Sequence, residues 1–242
     1  MNREYHKWWS PNLQRDMELL VFGSGGAKVL VFPTRGGRFF EYENLGMVEK
    51  IRHKIEANKL QLFCIDGIDA ESFYCYWAHP SGRMSRYMQY EEYVLREVLP
   101  LMHTINAHPT TISHGCSLGA FHAANIAFKH PHLFNKLCAF SGRYDLTLQV
   151  EYFPNLLDDH YDESVYFNTP THFLPNLHCH DQLNALRAMD IVLVIGKEDP
   201  FLDNNLHLSQ ILNEKGIDHQ LHLWEERAHR GYYWRRMVPL YL

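Results

Sequence analysis

The chain lacks any long hydrophobic run. Nowhere do about 18 apolar residues follow one another, so no membrane-spanning helix is predicted. The amino-terminal stretch Met1–Trp9 is mixed in character and has no apolar core of the kind found in secretory signals. From these two absences we expect a protein of the cytoplasm, with no membrane as partner.

Basic runs and a disulfide framework are also missing. The net charge is -5 and no stretch is rich in Lys or Arg, which argues against nucleic acid as a partner. The five cysteines are an odd number, and Cys64 and Cys138 lie in apolar runs typical of buried strands. We therefore expect a reducing compartment. His178-Cys179-His180 is the only pattern that suggests metal ligands, and no second cluster supports it, so neither a metal nor another cofactor is predicted.

What the sequence does contain is an alternation of strand-like and helix-like segments. The strands are predicted at Glu4–Ser10, Met17–Phe22, Lys28–Phe32, Leu60–Ile65, Thr110–Ser113, Lys136–Phe140, Ile191–Gly196 and His219–Trp224. The helices are predicted at Asn44–Lys59, Tyr87–Met102, Ala120 to Pro131, Leu206–Lys215 and from Tyr232 onward. This order predicts an α/β fold with a mostly parallel central sheet, as one domain over residues 1–242. Residues 143–180 show no sustained period and are predicted to be a small inserted cap or lid.

The stretch Gly115-Cys116-Ser117-Leu118-Gly119 has the form G-x-S-x-G and stands between a predicted strand and a predicted helix. A strand that turns sharply into a helix strains the backbone of the central residue, and the flanking glycines remove Cβ atoms that would clash. Such a turn exposes the Ser117 hydroxyl at the carboxyl end of the sheet. The helix amino terminus, with the free N–H of Leu118, suits a developing oxyanion. Ser117 is therefore the candidate nucleophile.

A serine hydroxyl needs a base to take its proton and an acid to orient that base. Two later loops follow predicted strands and can supply these groups. The first loop offers Asp199, with Glu198 and Asp203 as rivals, and the second offers His229. His222 is a weaker rival, because an alternating strand would hold it away from that loop. The order Ser117, Asp199, His229 is the order found in α/β-hydrolases.

At these residues the chain resembles the putative-esterase family of α/β-hydrolases, which includes S-formylglutathione hydrolases, feruloyl esterases and mycolyltransferases. The resemblance spans nearly the whole chain and is carried by Ser10–Met17, Asp66-Gly67, Ser72-Phe73-Tyr74 with Trp77, Tyr93–Pro100, Lys129–Phe134 and Phe140-Ser141-Gly142. It implies a serine esterase that acts on a small-molecule ester through a Ser117, His229, Asp199 triad. It also implies that the backbone N–H of Arg35 is the second oxyanion donor, beside that of Leu118.

The chain departs from the family pattern in two places. Pro33-Thr34 stand where the family usually has a small, glycine-containing turn, and Ala228 replaces the usual glycine before the histidine. Neither change removes a catalytic group, but Thr34 can alter the approach of the substrate carbonyl. The Pro33-Thr34 departure leaves open an inactive hydrolase fold kept as a binding module. The mycolyltransferases of the family suggest a second alternative, acyl transfer to an acceptor other than water by the same triad.

The aromatic segment from Phe73 to Tyr90 also has two interpretations. It either packs in the core and loops or lines a pocket for an apolar or aromatic group. The sequence leaves the oligomeric state open, a homo-oligomer included.

Overall fold

A computed structural model describes residues 1–242 and contains one eight-stranded sheet. The strands are β1 Arg3–Ser10, β2 Arg15–Phe22, β3 Ala27–Phe32, β4 Leu60–Ile65, β5 Thr111–Cys116, β6 Lys136–Phe140, β7 Asp190–Gly196 and β8 Gln220–Trp224. Their order across the sheet is β1-β2-β4-β3-β5-β6-β7-β8. Only the β1–β2 and β2–β4 pairs are antiparallel. The predicted mostly parallel sheet is confirmed.

Helices flank the sheet. They are α1 Glu41–Asn44, α2 Met47–Lys50, α3 Arg52–Glu56, α4 Pro80–Tyr93, α5 Leu99–Ile105, α6 Leu118–Lys129, α7 Glu163–Tyr166, α8 Pro170–Phe173, α9 His180–Ala188, α10 Leu202–Glu214 and α11 Gly231–Tyr241. One core packs against α4, α6 and α10, and the other, on the opposite face of the sheet, packs against α2 and α11. No helix combines the length and apolar character needed to cross a bilayer.

The single helix predicted over Asn44–Lys59 is wrong. The chain forms three short helices there, because Gly46 has a left-handed φ of +72° and Ile51 also leaves the helical region. The apolar residues recur at the right spacing even so, since each short helix presents its apolar side to the same core. Periodicity therefore detected the buried face but missed the breaks.

The helical segment predicted over Tyr87–Met102 is longer in the structure, where it extends from Pro80 to Ile105. It starts at Pro80, where the His79 ring accepts a hydrogen bond from the Ser81 N–H and caps the first turn. A π-helical turn at Val94–Val98 joins α4 to α5. The early turns carry polar residues and a glycine, so the apolar period does not reveal them.

Candidate active site

Ser117 lies directly between β5 and α6. Its backbone has φ +56° and ψ -122°, an unfavourable conformation for a residue with a side chain, and its N–H donates to the carbonyl of Phe140 on the next strand. A Cβ atom at Gly115 would stand 2.2 Å from the carbonyl carbon of Gly119. One at Gly119 would stand 2.5 Å from the carbonyl oxygen of Phe32. Strand, helix and neighbouring loop thus meet too closely for any side chain at either glycine.

The Ser117 hydroxyl begins a chain of hydrogen bonds through two later loops. Its Oγ is 2.8 Å from His229 Nε2, and His229 Nδ1 is 2.7 Å from Asp199 Oδ2. The Asp199 side chain is fully buried, and its second oxygen accepts the Phe201 N–H at 3.0 Å. Because a carboxylate can only accept, His229 carries its proton on Nδ1, and Nε2 is left to accept from the serine.

The structure brings together the three residues that the sequence singled out and separates them from their rivals. Glu198 and Asp203 are exposed to solvent, and neither contacts His229. The ring of His222 lies tilted against Tyr241, with centroids 4.6 Å apart, and hydrogen-bonds Gln220 on its own strand. The alternation of β8 holds that histidine away from the loop, as expected.

Ser141 supports the loop that carries His229. Its hydroxyl donates to the Ala228 carbonyl at 3.2 Å and accepts the indole N–H of Trp234 at 3.1 Å. Ala228 has a φ of +48°, a conformation more usual for glycine, so the loop keeps its glycine-like turn although the glycine is absent. The sequence pointed to Ser141 only through the family resemblance of Phe140-Ser141-Gly142 and not to this role, since its partners lie about 90 residues away in the chain.

Two carboxylates hold the loop after β3, where Pro33-Thr34 depart from the family pattern. Glu41 accepts the Thr34 N–H at 2.7 Å and the Thr34 hydroxyl at 2.6 Å. Asp69 accepts the Gly36 N–H at 2.9 Å. Between them, the Arg35 N–H donates to no group of the chain. Thr34 is therefore turned toward Glu41, and the Arg35 amide is available to a ligand.

The second oxygen of Asp69 lies 3.2 Å from Nε2 of His122 on α6. Both side chains are almost fully buried. This contact joins the loop after β3 to the helix that follows Ser117. Leu118 is the first residue of that helix, where amide groups have no partner within the helix. Sequence reasoning missed Glu41, Asp69 and His122, because their partners are brought close only by the fold.

A small cleft of about 40 Å³ opens at Ser117. Its wall includes Arg35, Tyr74, Arg143, Phe153 and Phe201. Burial raises the pKa of Tyr74 to about 12 and lowers the pKa of Arg143. A larger cavity of about 260 Å³ beside Phe128 and Phe173 contains none of the predicted site residues, so its size does not make it the site.

The aromatic segment divides between its two interpretations. Phe73, Tyr87 and Tyr90 are buried in the core, where their rings pack around His122. Tyr74 lines the cleft instead. The segment thus supplies mainly core packing and one wall of the cleft.

The His178-Cys179-His180 pattern does not lie on a strand. His180 is the first residue of α9, and Cys179 is the exposed residue before it. No group of three or more His, Cys, Asp or Glu side chains in the chain is arranged to hold a metal ion.

Comparison with known proteins gives one family and many structures. The model of a family described as "Putative esterase" matches residues 10–236. A ferulic acid esterase structure is similar with a TM-score of 0.75 and 15% identity, over 98% of this chain and 95% of that one. An S-formylglutathione hydrolase of Agrobacterium tumefaciens gives a TM-score of 0.74 and 16% identity, over 98% of this chain and 91% of that one.

A fluorophosphonate-binding serine hydrolase of Staphylococcus aureus gives a TM-score of 0.73 and 17% identity, over 99% of this chain and 97% of that one. No curated protein matches by sequence. The structural matches confirm the predicted α/β-hydrolase fold.

Proposed function

We propose that this chain cleaves its substrate through an acyl-enzyme formed on Ser117. The chain belongs to the esterase family and is a carboxylic ester hydrolase. The observation that carries the proposal is the unbroken series of hydrogen bonds from Ser117 through His229 to Asp199. Each group has the partner that its role requires, and the nucleophile and base are within proton-transfer distance.

In the first half-reaction Ser117 Oγ attacks the ester carbonyl carbon while His229 Nε2 takes the hydroxyl proton. The imidazolium that forms is stabilised by the Asp199 carboxylate, which also keeps the ring oriented. Collapse of the tetrahedral intermediate breaks the bond to the alcohol, and His229 returns the proton to that leaving oxygen. In the second half-reaction His229 takes a proton from water, whose oxygen attacks the acyl-enzyme, and Ser117 is regenerated.

The carbonyl oxygen becomes negatively charged in both half-reactions. We propose that it accepts hydrogen bonds from the N–H groups of Leu118 and Arg35. The amino terminus of α6 adds a favourable dipole. Glu41 and Asp69 support this arrangement, since they bind the amides on either side of Arg35 and leave its own N–H free. The unpartnered amide favours catalysis over the binding-module alternative raised by Pro33-Thr34.

We also propose that residues 1–242 form one domain in which residues 143–180 act as a cap. Arg143 and Phe153 belong to this segment and line the cleft at Ser117. The segment contains only short helices, and Leu146, Leu157 and Leu174 anchor it to the larger core, so the cap is fixed to the domain beneath it.

The proposal is tested by stopped-flow hydrolysis of a short-chain nitrophenyl ester by the native chain and by Ser117→Ala. We expect the native chain to release nitrophenol in a burst that approaches one equivalent where deacylation is slow, followed by steady turnover. Ser117→Ala should show neither phase above background. Full turnover by that variant would refute the mechanism. Product analysis with added alcohols or thiols then separates hydrolysis from acyl transfer, because transfer yields a new ester or thioester in place of free acid.

A further inference from the structure

Arg143 is a buried cation without a counter-ion. Only 6% of the residue is exposed. Its guanidinium donates to the backbone carbonyls of Asp145, Leu146, Leu148 and Pro154, through Nε and Nη2 alone. Nη1 has no partner in the chain, yet it is not among the fully enclosed polar atoms, so it can meet a ligand in the cleft. The Arg143 guanidinium carbon also lies 5.7 Å from the centroid of the Phe201 ring. A buried charge held only by neutral carbonyls and an aromatic face is costly unless an anion joins it.

The nearest acidic side chain does not supply that anion. The Asp145 carboxylate faces away to His172, at 3.3 Å, and to the Thr147 amide and hydroxyl, at 2.8 and 2.7 Å. It makes no ion pair with Arg143. Asp145 thus has partners of its own, and the charge of Arg143 is left for something that enters the cleft.

Arg35, which is exposed to solvent, presents a second cation without an ion pair to the same cleft. Its guanidinium carbon lies 4.2 Å from the centroid of the Tyr74 ring, and the side chain makes neither a hydrogen bond nor an ion pair. The aromatic face fixes the direction of the guanidinium and leaves its donors free. No Asp or Glu lines the cleft. Two guanidinium groups therefore flank the proposed nucleophile with no negative charge beside them.

We propose that the ester carries a carboxylate a few atoms from the scissile bond, and that Arg143 and Arg35 bind it. Guanidinium groups match carboxylates in both charge and donor geometry. The cleft of about 40 Å³ has room for only a few heavy atoms, so the carboxylated portion is short. This inference rests on the proposed function, because it places the carboxylate relative to an ester bond cleaved at Ser117.

Two matched pairs of esters test the proposal and assign the carboxylate to one side of the bond. Monomethyl succinate and its neutral isostere methyl 4-methylpentanoate differ on the acyl side. Acetoxyacetate and its neutral isostere isobutyl acetate differ on the alcohol side. For the pair that matches the natural substrate, the native chain should show a kcat/KM at least about tenfold higher for the carboxylated ester, as expected for one hydrogen bond to a charged group.

Arg35→Gln and Arg143→Gln should each lower this ratio toward one. Arg35→Gln retains the backbone N–H proposed as oxyanion donor. It also provides the test if Arg143→Gln, which gives up bonds to the cap carbonyls, fails to fold. Arg236→Gln is the matched control, because Arg236 is an exposed cation without an ion pair that lies outside the cleft. The control should keep the native ratio.

Several results would overturn the inference. One is an equal kcat/KM for the two esters within both pairs. A second is no turnover of either carboxylated ester by a chain whose Ser117 is labelled by a fluorophosphonate. The others are a kcat/KM ratio that is unchanged in both cleft variants, or one that is lost equally in Arg236→Gln. Binding of succinate, measured by calorimetry on the native chain and on Arg35→Gln, separates this inference from the mechanism. Succinate binding that depends on Arg35 in a chain whose Ser117 cannot be labelled would support the anion site and refute the proposed function.

Discussion

His114 should make the folded chain sensitive to mild acid. Its ring is fully buried on β5, directly before the turn that carries Ser117. Nδ1 donates to the Cys138 carbonyl at 2.7 Å, and Nε2 accepts the Tyr42 hydroxyl at 2.9 Å. The neutral ring therefore satisfies both partners. Protonation would leave the Tyr42 hydroxyl proton without its acceptor and would place a charge in the core.

Burial lowers the pKa of His114 from 6.5 to about 4, although the bond to the Cys138 carbonyl acts in the opposite direction. As pH falls, the unfolded chain binds this proton first, so the free energy of unfolding decreases between pH 6.5 and about pH 4. The difference of about 2.5 pKa units, at 1.36 kcal/mol each, amounts to about 3 kcal/mol. Stability is fully present above the unfolded-state pKa and is lost as pH falls toward the folded-state value.

Urea unfolding followed by circular dichroism measures this effect at pH values between about 7 and about 4.5, where the linear extrapolation gives the free energy of unfolding. The matched variant is His114→Gln, which keeps a donor and an acceptor but cannot titrate. The native chain should lose about 2 kcal/mol more than the variant across this range. Parallel pH profiles for the two proteins would refute the reasoning.

Three further substitutions test the supports of the candidate site. Asp199→Asn should lower kcat by about 10³- to 10⁴-fold with little change in KM, because an amide that donates to His229 Nδ1 places the imidazole proton on Nε2, which then cannot accept the serine proton. A loss below about tenfold in steady-state assays would contradict the role. Asp69→Ala should lower kcat by about tenfold or more, because the Gly36 amide loses its acceptor and the loop that carries the Arg35 N–H loosens. An unchanged kcat in a chain with native circular dichroism would count against that support. Gly119→Ala should lower the free energy of unfolding in urea by about 2 kcal/mol, because the new Cβ would lie 2.5 Å from the carbonyl oxygens of Phe32 and Pro33. An unchanged unfolding midpoint would show that the contact relaxes.

The sequence was sufficient to predict the sheet and the order of the candidate catalytic residues. Strands buried on both faces have mostly apolar sequences, as in β7 and, apart from Gln61, in β4, and their bounds could be predicted to within a residue. Ser117 could be selected because its G-x-S-x-G stands between a predicted strand and a predicted helix. Asp199 and His229 could be selected because their loops follow predicted strands, and the carboxyl ends of parallel strands share one edge of the sheet. The local strand pattern was thus enough to predict that residues far apart in the chain lie at the same edge of the sheet.

The supporting groups could not be selected in the same way. Asp69 binds a backbone amide at Gly36 and a histidine at 122, and nothing in the local sequence of either partner specifies that carboxylate. The role of Arg143 could not be predicted either, because it depends on the absence of acidic side chains near it in the fold. The breaks at Gly46 and at the π-helical turn Val94–Val98 were missed for another reason, since neither interrupts the apolar face that periodicity detects.

Fluorophosphonate labelling followed by intact-mass measurement shows whether Ser117 is an activated nucleophile, because the reagent reacts with a serine activated by an adjacent base. The native chain and Ser117→Ala would be labelled side by side, with the heat-denatured native chain as the control for unspecific reaction. We expect one adduct on the folded native chain and none on Ser117→Ala or on the denatured chain. An adduct of equal yield on Ser117→Ala, or none on the folded native chain, would show that Ser117 is not the activated nucleophile.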